Sequence, residues 1–186
     1  MEKLIRIEGY LFFKGRIVKN PQIEILGEDI RITEGIGSNF THKGFAIPGI
    51  VNAHVHLDFD KPINERNFIN WIERIITEIN PTRNYTGYFE KISDSLKLGI
   101  TKLYDITRST NIPQNKSVVS FLEIIGTNKN DILDIPESIM ISLHAPYSVS
   151  QNYAIKIINR YKNKSFCMHF LETEEEVKFL KGERNE

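Results

Sequence analysis

The 186-residue chain has a single cysteine, Cys167, which excludes an internal disulfide. It has no charge excess of either sign: 24 Lys and Arg stand against 24 Asp and Glu. That balance argues against nucleic acid or an acidic lipid surface as partner, since both need a basic excess. No apolar run reaches the roughly 18 residues of a membrane-spanning helix, and MEKLIRIEGY lacks the apolar region of a signal peptide. Several motifs are missing as well: the HExxH metalloprotease helix, the P-loop, the GxSxG elbow, and the PCxxC element of one class of zinc deaminase. Hydrophobic residues make up 40% of the chain, enough for a core. The expectation is a soluble, cytoplasmic globular protein with a small-molecule ligand.

Residues 1–46 read as short strands punctuated by turns: LIRIEGYLFF, then KG and NP, then QIEIL, GED and IRI. No helical period occurs there. From Pro48 the character changes. GIVNAHVHL reads as a buried strand. Phe68, Ile72, Ile75, Ile76 and Ile79 recur at helical spacing, as do Tyr85, Tyr88, Phe89, Ile92 and Leu96, with Gly99 closing the second helix. ITKLYDI, SVVSFLEIIG, IMISLHAPY and SFCMHFLE read as further strands. Tyr153 to Tyr161 forms a helix, and Thr173 with Glu176 caps a last one. Strands that are nearly continuous apolar runs, alternating with helices, indicate an α/β fold with a parallel sheet. The expected division is a small β unit over 1–46 and an α/β unit over 47–186.

The chemistry lies in the histidines. His54 and His56 sit two apart on one strand, so they share a face, about 7 Å apart along it. Two imidazoles so placed can converge on a divalent ion such as Zn²⁺. Satisfied core histidines are the competing reading, a poor one for two on one strand face. His144 and His169 each end a later strand, where (β/α) barrels build active sites. Glu172 follows His169 by three residues. It reads either as a proton carrier beside a metal site or as one acid of the helix-opening ETEEE. Asp58, Asp60 and Asp105 follow or end strands and read as capping or loop residues, or as groups orienting a ligand histidine. His42 falls in a polar turn. Cys167 reads as core. Trp71 lies on the apolar face of its helix, as core or as a pocket wall.

Three segments, PGIVNAHVHLD, LHAPYSVS and MHFLETEEE, resemble in order three motifs of the amidohydrolase superfamily, in the branch with cytosine deaminase, the chlorohydrolases and adenosine-type deaminases. SFLEIIG and NFINWIERI are similar to the group containing aminofutalosine deaminase, a menaquinone-pathway enzyme. The resemblance implies a (β/α)₈ TIM-type barrel preceded by a small β-sandwich segment. It implies His54, His56 and His169 as metal ligands and Glu172 as the proton shuttle. His144 would contact substrate, and Trp71 would line the substrate pocket. The implied cofactor is one divalent metal ion, Zn²⁺ or alternatively Fe²⁺. The implied reaction is hydrolytic deamination of a purine-type nucleoside or related ring.

The resemblance covers only about the first half of the family pattern. A full barrel takes about 250 residues, and five strands are counted here. The sixth-strand histidine and eighth-strand aspartate of the family have no counterpart. An incomplete barrel of about five strands is therefore expected. It would be a truncated or split form whose partner is a C-terminal half or a homo-oligomer mate. A non-catalytic metal-binding or interaction module is the alternative.

Overall fold

The computed structural model describes residues 2–35, 37, 39–59, 64–65, 67–126 and 134–183. Asp60 falls outside them. The chain divides into two compact units, Met1–Gly49 and Ile50–Glu186.

In the first unit, alternating apolar residues build β1 (Glu2–Phe13), β2 (Arg16–Lys19), β3 (Pro21–Leu26), β4 (Asp29–Glu34) and β5 (His42–Ala46). They form one five-stranded sheet organised on β1. The first half of β1 pairs antiparallel with β3, the second half pairs antiparallel with β2, and β5 runs parallel to it. Gly9 sits where the partners change. Its φ is +144°, and a Cβ there would collide with the Gly44 carbonyl opposite. His42 opens β5 instead of lying in a turn, and its side chain is exposed as a polar edge residue would be.

The second unit holds β6 (Ile50–Val55), β7 (Ile100–Thr107), β8 (Val118–Ile124), β9 (Met140–Leu143) and β10 (Phe166–Met168). These form a parallel sheet in the order β10-β9-β8-β7-β6. Around it lie α1 (Phe68–Arg74), α2 (Tyr88–Lys97), α3 (Gln151–Arg160) and α4 (Glu174–Leu180). The central strands β7, β8 and β9 bury Leu103, Phe121, Leu122 and Ile141. On α2, Tyr88 and Ile92 lie one turn apart and pack on Leu103; on α3, Tyr153 and Ile157 pack near Ile141. Ser150 caps α3 and Thr173 caps α4, each accepting from the backbone N–H three residues on. This is the parallel α/β sheet that the strand pattern implied, curled into the incomplete TIM-type barrel that the resemblance and the count of five strands implied.

Three features differ from the expectation. Residues 108–117, between β7 and β8, contain no helix. Ten residues including Pro113 are too few for a regular crossover helix, and Ile112 anchors the link in the core. The periodic stretch Phe68–Ile79 is not one helix either: α1 passes into a π-helical turn, Ile75–Ile79, then a 3₁₀ turn, Asn80–Thr82, where Pro81 has no N–H to continue the ladder. Finally, β6 is not a buried strand. It is a sheet edge, with Ile50 and Val51 about half exposed.

Candidate metal centre

His54 lies on β6 and His56 one residue beyond its end. Their Nε2 atoms are 3.3 Å apart. Two nitrogens on tetrahedral zinc, each at about 2.0–2.1 Å, stand roughly 3.3–3.4 Å apart. The pair therefore already has the bite of a chelate. His169 follows β10, at the opposite edge of the sheet. Four flat strand spacings would separate those edges by about 19 Å, yet the His54 and His169 ring centroids are 4.4 Å apart. The sheet is curled, and the curl makes the site. Ring nitrogens of His54, His56 and His169 all lie within 4.8 Å of one another.

Hydrogen-bond partners engage Nδ1 of His56, His144 and His169. His56 donates its Nδ1–H to the Ile106 carbonyl at 2.7 Å, leaving the Nε2 lone pair facing His54. His144 lies just past β9. Its Nδ1 is 2.6 Å from the Ser148 hydroxyl, whose own proton goes to the Ala145 carbonyl at 3.1 Å. This contact engages the His144 Nδ1 and leaves Nε2 as the ring nitrogen available to a ligand. On His169, Nδ1 lies 2.9 Å from Glu172 Oε1.

Burial pushes the His54, His56 and His144 pKa values down, that of His56 to about 4 with help from the Arg83 charge. These three rings are neutral near pH 7, the form a metal needs. His169 goes the other way. Burial opposes its charge, but Glu123 and Glu172 outweigh burial and raise its pKa.

Beneath the rings runs a buried ionic network that no sequence motif disclosed. Arg83, just after the 3₁₀ turn, grips Asp58 with two hydrogen bonds (2.9 and 3.0 Å). It also donates to the Ile106 carbonyl (3.1 Å) and to Glu123 on β8 (3.2 Å). Arg108 adds a second contact to Glu123 at 3.2 Å. Burial would raise the Glu123 carboxyl; the neighbouring His169 and Arg83 outweigh it and hold it down at about 2. Thr107 donates to Asp58 (3.1 Å). Asp105 accepts from the Leu57 N–H (2.8 Å) and the Tyr85 hydroxyl (3.1 Å). Neither Asp58 nor Asp105 bonds a site histidine directly; they pin the turn after β6 and the Arg83 side chain. For Glu123 a signal did exist: it is the one charged residue in the apolar strand VVSFLEI. Arg83 had none, lying in an aperiodic polar link.

A cavity of about 320 Å³ opens over these groups. His56, His144, His169, Glu172, Glu123 and Arg83 line it, with Phe59, Trp71 and Tyr147 as aromatic walls. The structure thus gathers His54, His56, His144, His169, Glu172 and Trp71 in one region. It leaves His42 in the other unit and Cys167, half-buried, on β10. The three histidines suit a borderline-soft divalent ion in type and spacing. Among the described residues no helix is long and apolar enough to cross a membrane.

No family model matches the chain. A curated relative, adenosine deaminase of Helicobacter pylori, is 23% identical over 176 residues, covering 79% of this chain and 42% of that protein. Among solved structures, Helicobacter pylori aminofutalosine deaminase aligns with a TM-score of 0.65 and 21% identity, covering 96% of this chain and 52% of that one. A triazine hydrolase variant aligns with a TM-score of 0.55 and 16% identity, covering 97% and 56%. At such identities the structural likeness speaks to the fold. The chain spans about half the length of the relatives it matches.

Proposed function

We propose that this chain, which belongs to the amidohydrolase superfamily, carries the metal-binding part of a hydrolytic deaminase site. The proposed substrate is a purine-type nucleoside or related amino-bearing ring, aminofutalosine among them. The observation that carries the reading is the convergence of His54, His56 and His169 from opposite edges of the sheet. They would hold one divalent ion, Zn²⁺ or alternatively Fe²⁺, which when bound supplies Lewis acidity and a nucleophile from water near neutral pH. Glu172 is about half exposed at the mouth, and its carboxylate touches the His169 imidazole. From there it can carry a proton between that site and a ring nitrogen. His144 presents its Nε2 to the substrate, and Trp71 stacks along the cavity wall. Activity is proposed for the site completed by the remaining half of the relatives' length, in the same polypeptide or in a second one.

Zinc titration by competition with a chromophoric chelator tests the metal reading. We expect one ion per chain. Each of His54→Ala, His56→Ala and His169→Ala should weaken binding by more than about 100-fold, as loss of a direct ligand should exceed second-shell effects. His42→Ala should leave binding unchanged. Binding that survives all three ligand variants would refute the reading. For the reaction, ammonia release from adenosine and aminofutalosine would be followed with the completing half present, and Glu172→Gln should abolish it.

A further inference from the structure

We propose that Glu176 is a positioning residue: its buried carboxylate holds the Glu172 backbone so that the Glu172 side chain stays against His169. The proton-carrying role of Glu172 rests on the proposed function; the holding contact does not.

Glu172 stands on a short link between β10 and α4 that packing does not anchor. Phe170 and Leu171, just before it, are 59% and 51% exposed. Leu171 also has a φ of +58°, in the left-handed region that a bulky side chain avoids. The Glu172 side chain is itself about half exposed, yet its Oε1 meets His169 Nδ1 at 2.9 Å. A long side chain on an unanchored link would lose that contact to conformational entropy.

Glu176 supplies the anchor. Its side chain turns back from the start of α4, and Oε2 accepts the Glu172 N–H at 2.9 Å. The reach is longer than helix capping needs. In a capping box the third helical residue bonds the N–H of the capping residue, here Thr173. Glu176 passes Thr173 and bonds the residue before it. Glu174 and Glu175 on the same turn are exposed, whereas Glu176 is 2% exposed. Its other oxygen, Oε1, is buried and has no hydrogen-bond partner among the described residues. A buried carboxylate oxygen without a donor is destabilising, and so is a left-handed leucine. Both costs fall at the turn that sets Glu172. Local strain of this kind persists where the surrounding structure fixes a position that function uses.

Histidine-ring ¹⁵N NMR on the zinc-free chain tests this. A carboxylate only accepts hydrogen bonds, so the Glu172 contact puts a proton on His169 Nδ1. Glu172→Ala marks where that Nδ1–H resonance falls when the contact is broken. Glu176→Leu should move it to the same place. Glu176→Gln keeps a carbonyl acceptor for the Glu172 N–H and should leave it at the parent position. Thr173→Ala removes the other capping bond of α4 and should also leave it there. Amide exchange on the parent keeps the test decisive if Glu176→Leu does not fold. After correction for intrinsic rates, the Glu172 N–H should exchange about tenfold or more slowly than that of exposed Phe170, as a hydrogen bond to a charged acceptor predicts. The proposal is overturned if the parent resonance already coincides with that of Glu172→Ala, or if folded Glu176→Leu keeps the parent position. It is overturned too if Glu176→Gln or Thr173→Ala moves the resonance as far as Glu176→Leu does, or if the parent Glu172 amide is unprotected. Zinc titration of the same samples separates the two readings. Ring signals that behave as expected in a chain that binds no zinc would sink the metal reading alone; zinc binding with an unmoved signal in Glu176→Leu would sink this one alone.

Discussion

Arg83→Met should be among the most damaging single changes in the second unit. The Arg83 guanidinium is 6% exposed and bridges Asp58 and Glu123, each 4% exposed. Its four hydrogen bonds join the turn after β6, the Ile106 carbonyl on β7, and β8. Methionine preserves most of the stem, but it loses the guanidinium over the Phe59 ring and leaves two buried carboxylates behind. Among the described residues, Asp58 would keep the Thr107 hydroxyl, and Glu123 the partly exposed Arg108 and the His169 ring at 3.8 Å. Breaking a buried pair by removing one partner costs about 3–5 kcal/mol; Arg108 softens the loss at Glu123, so about 3–4 kcal/mol is expected. Urea unfolding followed by Trp71 fluorescence reads this for the unit that contains Trp71 and avoids confusion with the first unit. The double variant Arg83→Met/Asp58→Leu should lose less than Arg83→Met alone, because removing both charges together spares the orphaned carboxylate. A loss under about 1 kcal/mol, the range of solvent-exposed pairs, would refute the view that this network is dry.

Zinc affinity should rise with pH between about pH 5 and pH 8, because the ion must displace a proton from His169, whose pKa is raised by Glu123 and Glu172. Glu172→Gln should move that rise to lower pH, and an unmoved curve in chelator competition would contradict the assignment. Asp105 has its pKa lifted by burial from 3.8 to about 6. Its contribution to stability is therefore full below its ordinary value and lost as pH rises through about 6. Asp105→Asn keeps an acceptor for the Leu57 N–H. It should flatten the fall in stability over that window, on the order of 3 kcal/mol at 1.36 kcal/mol per pKa unit; an unchanged slope in pH-dependent urea unfolding would refute it. Gly9→Ala should destabilise the first sheet by more than about 1 kcal/mol, read as lost hydrogen-exchange protection along β1. Parent-like protection would show that the Gly9–Gly44 approach can relax.

Much of the architecture was legible without coordinates. Apolar runs broken by Gly, Pro and Asn marked the strands of both units. Isoleucines and tyrosines four apart marked α2 and α3, because a helix must bury one face. The cap at Thr173 was legible because its physics is local. Over Phe68–Ile79 periodicity marks a helix but not the change from α to π winding at Ile75, which depends on backbone hydrogen bonding and not on which face is apolar. Strand β6 was read as buried because composition cannot tell an edge strand from a central one.

For the site, the sequence by itself determined which side chains could serve. His54 and His56 had to share a face, because β-strand side chains repeat every two residues. Whether His169 would join them was not a local matter. It depended on the curl of five strands, which brings the two sheet edges together and sets the ring centroids 4.4 Å apart. Tertiary structure alone also recruited Arg83 to Glu123 and Asp58, residues 40 and 25 positions away. A charge is buried only where folding delivers its partner, and those partners come from separate elements whose meeting no local pattern encodes.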